Sequence, residues 1–150
     1  MGKFVKKAFI EMKKLRVLEM IIPEFYYTYN FDQNNPNHPD DLFNHIIKVI
    51  HLCDYDLVTR FAALFHDLGK INVKIIDAKG IFYFYGHEKE SALIAEEELK
   101  QLKASNDFIN SVKKIVKNHM LIYQDVSDKT LKKLIIEMEE KNLKRLFNLF

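Results

Sequence analysis

His66 and Asp67 stand side by side at the end of the apolar run Phe61-Ala62-Ala63-Leu64-Phe65, immediately before Leu68-Gly69-Lys70. An ionised carboxylate at the end of a buried helix is costly unless it is paired, hydrogen-bonded or bound to a metal. The helix macrodipole also disfavours a negative charge at a C-terminus. A divalent cation relieves both problems. His45 lies one position from an apolar stripe at Ile46 on the preceding helix, so its ring can face the same interior. One histidine from one helix and a His-Asp pair from the next supply nitrogen and oxygen ligands suited to Zn, Fe, Mn or Ni.

A lone His-Asp dipeptide arises often by chance, so the other histidines carry weight. His119 prolongs an otherwise apolar stripe (Ile109, Val112, Val116) and points either at the core or at a pocket edge. Taken alone it reads first as a packed core histidine. His87 follows Gly86 and opens a helix, where a surface role is the ordinary one. His38 sits in a loop, capping Asp40 or bordering a pocket, and His51 reads as a helix-surface residue.

The elements that must position these residues follow from periodicity and capping. A first helix is expected over residues 3–20, with Phe4, Ala8, Met12 and Leu15 inward and Pro23 as its stop. A turn-rich stretch, residues 26–39, then forms a long loop of the kind that covers or builds a site. Asp40 or Asp41 caps a helix over Leu42–Leu52 with Leu42, Ile46, Val49 and Cys53 on one face. Asp54 or Asp56 caps the next, residues 57–67, which Gly69 ends as a C-terminal glycine. Residues 73–76 and 81–85 flank Asp77-Ala78-Lys79-Gly80 and read as a small hairpin. Three more amphipathic stretches follow. The first covers residues 87–103, with Ala92, Ala95, Leu99 and Leu102 inward, and the second starts at Ser105 or Asn106. The third starts at Ser127 or Asp128, with Leu131, Leu134, Ile135 and Met138 inward, and residues 142–150 remain periodic behind it.

Composition agrees with a mostly helical single domain. Four glycines and three prolines are too few for a sandwich or barrel, which needs a turn about every 8–12 residues. With 48% hydrophobic and 29% charged residues the chain can bury a core and is not disordered. A single cysteine, Cys53, excludes an internal disulfide and a cysteine zinc cage. No uncharged apolar run reaches the roughly 18 residues of a membrane span, and the start of the chain is no signal peptide. A reducing, cytoplasmic setting is the expectation. The net charge of +2 is too balanced to argue nucleic-acid binding from the whole field. Lys3, Lys6, Lys7, Lys13, Lys14 and Arg16 nevertheless cluster in the first helix, where they form either a solvated face or an RNA contact.

Residues 61–70 resemble the central signature of the HD superfamily of metal-dependent phosphohydrolases, whose motif order is His, then His-Asp, then Asp, with extra histidines between in two-metal members. Phe84-Tyr85-Gly86-His87-Glu88 and Lys117-Asn118-His119-Met120 are similar to its later histidine motifs. The leader, residues 18–24, the stretch 35–45 and the short hairpin before His87 resemble one branch, the HD domain attached to bacterial tRNA nucleotidyltransferases and poly(A) polymerases. The resemblance runs from about residue 15 to the end. It implies an all-α HD-domain bundle of six or seven helices with one hairpin near residues 73–85, a single domain over 1–150, and a basic helix within residues 1–22 packed upon it.

The same resemblance implies a site. His45, His66 and Asp67 would ligate a first divalent ion. His87 and His119 would complete a second metal site or contact a phosphate. Asp67 would bridge the ions or orient the attacking water, and Lys70 would hold the phosphate as a point charge. One or two ions are implied, with Fe, Mn, Ni, Zn and Mg undistinguished. The expectation is therefore a phosphodiesterase or phosphatase acting on a nucleotide or an RNA-terminal phosphate. No nucleotidyltransferase domain is expected upstream, so the resemblance does not carry tRNA tailing over. The family's last aspartate ligand aligns beyond Phe150, with Asp125, Asp128 or a water as substitutes. That departure supports the alternative of a non-catalytic accessory or RNA-binding module.

Overall fold

A computed structural model describes residues 4–34 and 40–150 of the chain. Lys3 and His38 lie outside the described residues. The architecture is all-α with one two-stranded hairpin.

The N-terminal segment forms two helices rather than one, α1 (Val5–Lys14) and α2 (Val17–Ile21), separated by Arg16 in the left-handed conformation at φ 59°. The reason is phase. Val5, Phe9 and Met12 pack on the core, and continuing their spacing would bring Arg16 and Met20 inward. The break rotates the chain so that Leu18, Ile22 and Phe25 enter instead, each at most 3% exposed. The expected stripe is corrected accordingly, since Phe4, Ala8 and Leu15 face solvent and only Met12 packs on the core. Pro23 does end α2, and opens a 3₁₀ helix, Pro23–Thr28, at a position where its missing N–H costs nothing.

Asp41 caps α3 (Leu42–Leu52) by accepting from the Asn44 N–H, and the whole stripe Leu42, Ile46, Val49, Cys53 is buried as expected. Asp56 caps α4 (Leu57–Phe65) through the Thr59 N–H and also takes a two-pronged contact from Arg145. A one-turn helix, α5 (Lys70–Val73), follows, and then β1 (Ile75–Ile76) pairs antiparallel with β2 (Phe82–Tyr83) around the expected turn. Asp77 ties that turn, its Oδ1 accepting from the N–H groups of Lys79 and Ile81.

Gly86, at φ +78°, redirects the chain into α6 (His87–Gln101), a sign of φ that a side chain would make costly. Ser105 caps α7 (Asn106–Asn118), a 3₁₀ turn covers His119–Tyr123, and Ser127 caps α8 (Asp128–Phe147). The last two expected segments are two helical stretches that meet at Glu139, whose backbone is non-helical at φ 62° and ψ 152°. Leu102, Leu131 and Ile135, expected inward, are exposed. The helices α4, α6 and α7 pack on one another around Phe65, Leu68, Leu99 and Ile115, all fully buried. Among the described residues no helix is long and apolar enough to cross a membrane.

Candidate metal centre

Four helix ends converge. His45 comes from the second turn of α3, and His66 and Asp67 follow the end of α4 directly. His87 begins α6 and His119 begins the 3₁₀ turn after α7. His66, Asp67, His87 and His119 are buried and His45 is half-buried. Two groups result that share Asp67. In the first, His45 Nε2 and His66 Nε2 are 3.2 Å apart and each lies 3.2 Å from Asp67 Oδ2. In the second, His87 Nε2 lies 3.3 Å from His119 Nε2 and 3.2 Å from Asp67 Oδ1, with His119 at 3.7 Å from the same oxygen.

Backbone geometry decides which ring nitrogen faces inward. Nδ1 of His66 lies 2.8 Å from the Ala63 carbonyl, Nδ1 of His87 2.8 Å from that of Phe84, and Nδ1 of His119 2.7 Å from that of Val116. A carbonyl oxygen only accepts, so each Nδ1 carries the proton and donates it. In a neutral ring Nε2 is then a bare lone pair, and this is the orientation in which metal-binding histidines are held. Burial pushes the His66 ring down to about pKa 4 against the pull of Asp67, so it is neutral near pH 7. Wherever two such Nε2 lone pairs meet beside a carboxylate they repel, and a cation between them removes that repulsion. The donor set of imidazole nitrogens and one carboxylate fits a divalent transition metal.

Asp67 is held well below the usual carboxylate range. Burial alone would raise it, but the histidine rings and the Lys70 ammonium together outweigh that effect. Lys70 is itself buried, and its Nζ donates to Asp67 Oδ2 and to Gln33 Oε1, both at 2.8 Å. Gln33 was not visible as a site residue in sequence. It comes from the long loop, 37 positions from Lys70, is buried, and is anchored by its Nε2 donating to the Asp40 carbonyl. The only hint was that the loop is too long and too polar to be mere connection.

Gly69 has a different job from the one expected. Its backbone is right-handed, at φ −63°, so it is no left-handed helix terminator. A Cβ there would lie 2.4 Å from the His87 carbonyl oxygen and 2.5 Å from the Ser91 nitrogen. The missing side chain lets the turn carrying Asp67 press against the start of α6, and the Gly69 N–H donates to Ser91 Oγ at 2.9 Å.

The centre opens into a pocket of about 410 Å³ that also exposes Tyr83, Tyr85, Tyr123 and Phe150. Phe150 meets the His66 ring edge-on at 5.6 Å. His51 is exposed on α3, as expected. Asp125 and Asp128 are exposed and belong to neither histidine group, so neither stands in for a further ligand.

Residues 42–139 match the HD domain family. The chain is 27% identical over 121 residues to an A-adding tRNA nucleotidyltransferase of Deinococcus radiodurans, covering 77% of this chain and 28% of that protein. It is 29% identical to a CC-adding tRNA nucleotidyltransferase of Thermus thermophilus, covering 73% and 26%. It is 31% identical to a multifunctional CCA protein of Chromobacterium violaceum, covering 67% and 25%. The chain therefore spans about a quarter of the length of these relatives. On the family match and on the converging His-Asp motifs, the chain belongs to the HD domain family.

Proposed function

We propose that this chain is a metal-dependent phosphohydrolase that cleaves a phosphate ester of a nucleotide or an RNA end. The observation carrying this reading is the set of inward Nε2 atoms facing one carboxylate, with Nδ1 of His66, His87 and His119 each donating to a backbone carbonyl. His45, His66 and Asp67 would hold one ion, and Asp67, His87 and His119 a second. When bound, such ions lower the pKa of water and offset charge on phosphoryl oxygens.

The chain's own residues do the rest. Asp67, kept ionised, offers one oxygen to each histidine group and so fixes their separation. Lys70 spends two of its ammonium hydrogens on Asp67 and Gln33, which leaves the third for a phosphate oxygen. His87 and His119 stand beside that place and serve the phosphate when no second ion is held. Residues 1–150 act as one HD domain with α1 packed on α3, in a reducing, cytoplasmic setting consistent with the buried thiol of Cys53. Relatives named for tRNA support a nucleotide or RNA substrate.

The accessory-module reading draws on the basic helix, whose charges are largely committed. Lys14 pairs with Glu11, Arg16 with Glu19, and Lys13 lies over the rings of Tyr29 and Phe43. Lys6 and Lys7 remain exposed for an RNA contact.

The test is metal analysis of purified protein followed by hydrolysis of a 2′,3′-cyclic nucleotide and of a bis-aryl phosphate with Mn, Fe, Ni, Zn or Mg. Turnover that disappears in His66→Ala is expected. A His66→Ala variant as fast as the parent, or no turnover with any ion, overturns the reading.

A further inference from the structure

The phosphohydrolase chemistry uses one wall of the pocket and leaves an aromatic wall without a task. Tyr83 closes β2 and Tyr85 lies in the turn just beyond it, and their side chains fall on one side. Their rings stack at 5.4 Å between centroids with only 13° between planes. Tyr83 is pinned from behind, its hydroxyl donating to Asp77 Oδ2 at 3.3 Å, and Asp77 is the residue that closes the hairpin turn. Tyr85 is 73% exposed, a large ring supported by Tyr83 yet kept in water. It stands two residues before His87, within about 7 Å along the backbone even if fully extended. Both tyrosines open on the pocket that holds Asp67 and Lys70.

Accepting the phosphohydrolase reading on which this rests, we propose that Tyr85, backed by Tyr83, is the stacking platform for the nucleobase of the substrate, and so selects ring-bearing phosphate esters over alkyl ones. An aromatic face accepts any base, because every base has a π-face. The hairpin is then a ruler, placing the base a fixed distance from the phosphate held at Lys70. The apolar faces of these rings suit a planar base, and Lys70 and the imidazoles that would meet the phosphate line the same pocket.

The test is calorimetric binding to the metal-loaded protein of three probes, AMP, ribose 5-phosphate and adenosine, in the parent, Tyr85→Ala and Tyr85→Phe. AMP should bind the parent ten- to a hundredfold more tightly than ribose 5-phosphate. Tyr85→Ala should bring that ratio to within about twofold by weakening AMP and adenosine equally while leaving ribose 5-phosphate unchanged. Tyr85→Phe, which keeps the ring, should retain the preference. A parent without preference for AMP, or a Tyr85→Ala variant that keeps it, overturns the proposal. Failure of the phosphohydrolase reading looks different: esters bind but are not hydrolysed, while adenosine binding still depends on Tyr85.

Discussion

Replacing Gly69 by alanine puts a methyl group 2.4 Å from the His87 carbonyl oxygen, 2.5 Å from the Ser91 nitrogen and 2.7 Å from Glu90 Cβ. Separations under 3.0 Å are not reached by real Cβ atoms, and two of the three neighbours are backbone. The first turn of α6 must therefore retreat by at least 0.6 Å, the difference between 3.0 and 2.4. That retreat stretches the buried Gly69 N–H to Ser91 Oγ hydrogen bond and draws His87 away from Asp67, now 3.2 Å distant. Overpacking of this kind costs about 1–3 kcal/mol, and weakening a buried hydrogen bond adds about 1 kcal/mol. We expect a loss near 3 kcal/mol, which for a chain of this length lowers Tm by roughly 6–12 °C. Retention of metal after dialysis should fall as well, because His87 leaves the group it shares with Asp67 and His119. Gly80→Ala is the control. Gly80 has φ +78° with nothing within 4 Å of its added Cβ, so the change costs about 1–2 kcal/mol of backbone strain and leaves metal retention intact. Thermal unfolding in EDTA and metal analysis of both variants check this. A Gly69→Ala protein melting within 2 °C of the parent, with its metal content unchanged, refutes the close-approach argument.

Glu98 is buried, and burial, reinforced by Glu24 and Glu97, pushes its carboxyl up to about 7. The folded chain thus holds a proton that the unfolded one releases near pH 4.5, so this contribution is present below pH 4.5 and is lost as pH rises through 7. Glu98→Gln should raise Tm at pH 8 and leave it unchanged at pH 4; an equal effect at both values sinks the assignment. Asp56→Ala removes the cap of α4 and the two-pronged anchor of Arg145 on α8, and urea unfolding should show a loss of about 2 kcal/mol. An effect below 0.5 kcal/mol would mean that solvent already carries both contacts. Lys70→Met strips Asp67 of its ammonium partner, so the metal-free protein should be destabilised by about 3 kcal/mol or more while added metal restores more of Tm than in the parent. Equal metal-induced shifts in the two proteins would count against Lys70 as the charge that supports Asp67.

The helices with strong caps and unbroken stripes were legible from the chain alone. Asp41 and the stripe from Leu42 to Cys53 define α3, and Ser105 with Ile109, Val112 and Val116 defines α7, because capping and amphipathic phase are local properties. Near helix ends the same reading failed. Phe4, Leu15, Leu102, Leu131 and Ile135 have the right character for a core and face solvent, since an apolar residue carries no mark of which surface covers it. The break at Arg16 was equally hidden, because it answers to where Leu18, Ile22 and Phe25 must go.

The centre divides in the same way. His45, His66 and Asp67 stood out as candidates from their local chemistry, whereas His87 and His119 joined them only through the resemblance to the HD superfamily, since locally they read as a surface and a core histidine. Which nitrogen each ring turns inward, and that Asp67 gives one oxygen to each group, depends on backbone carbonyls and on distances between elements far apart in sequence. Gln33 reaches Lys70 from a loop with no periodicity to betray it. Gly69 was read as a terminator, but its purpose is the approach of another helix, a contact that no stretch of sequence around it contains. Local chemistry and the family resemblance named the candidates, and only packing decided their separation, their protons and the aromatic residues that share their pocket.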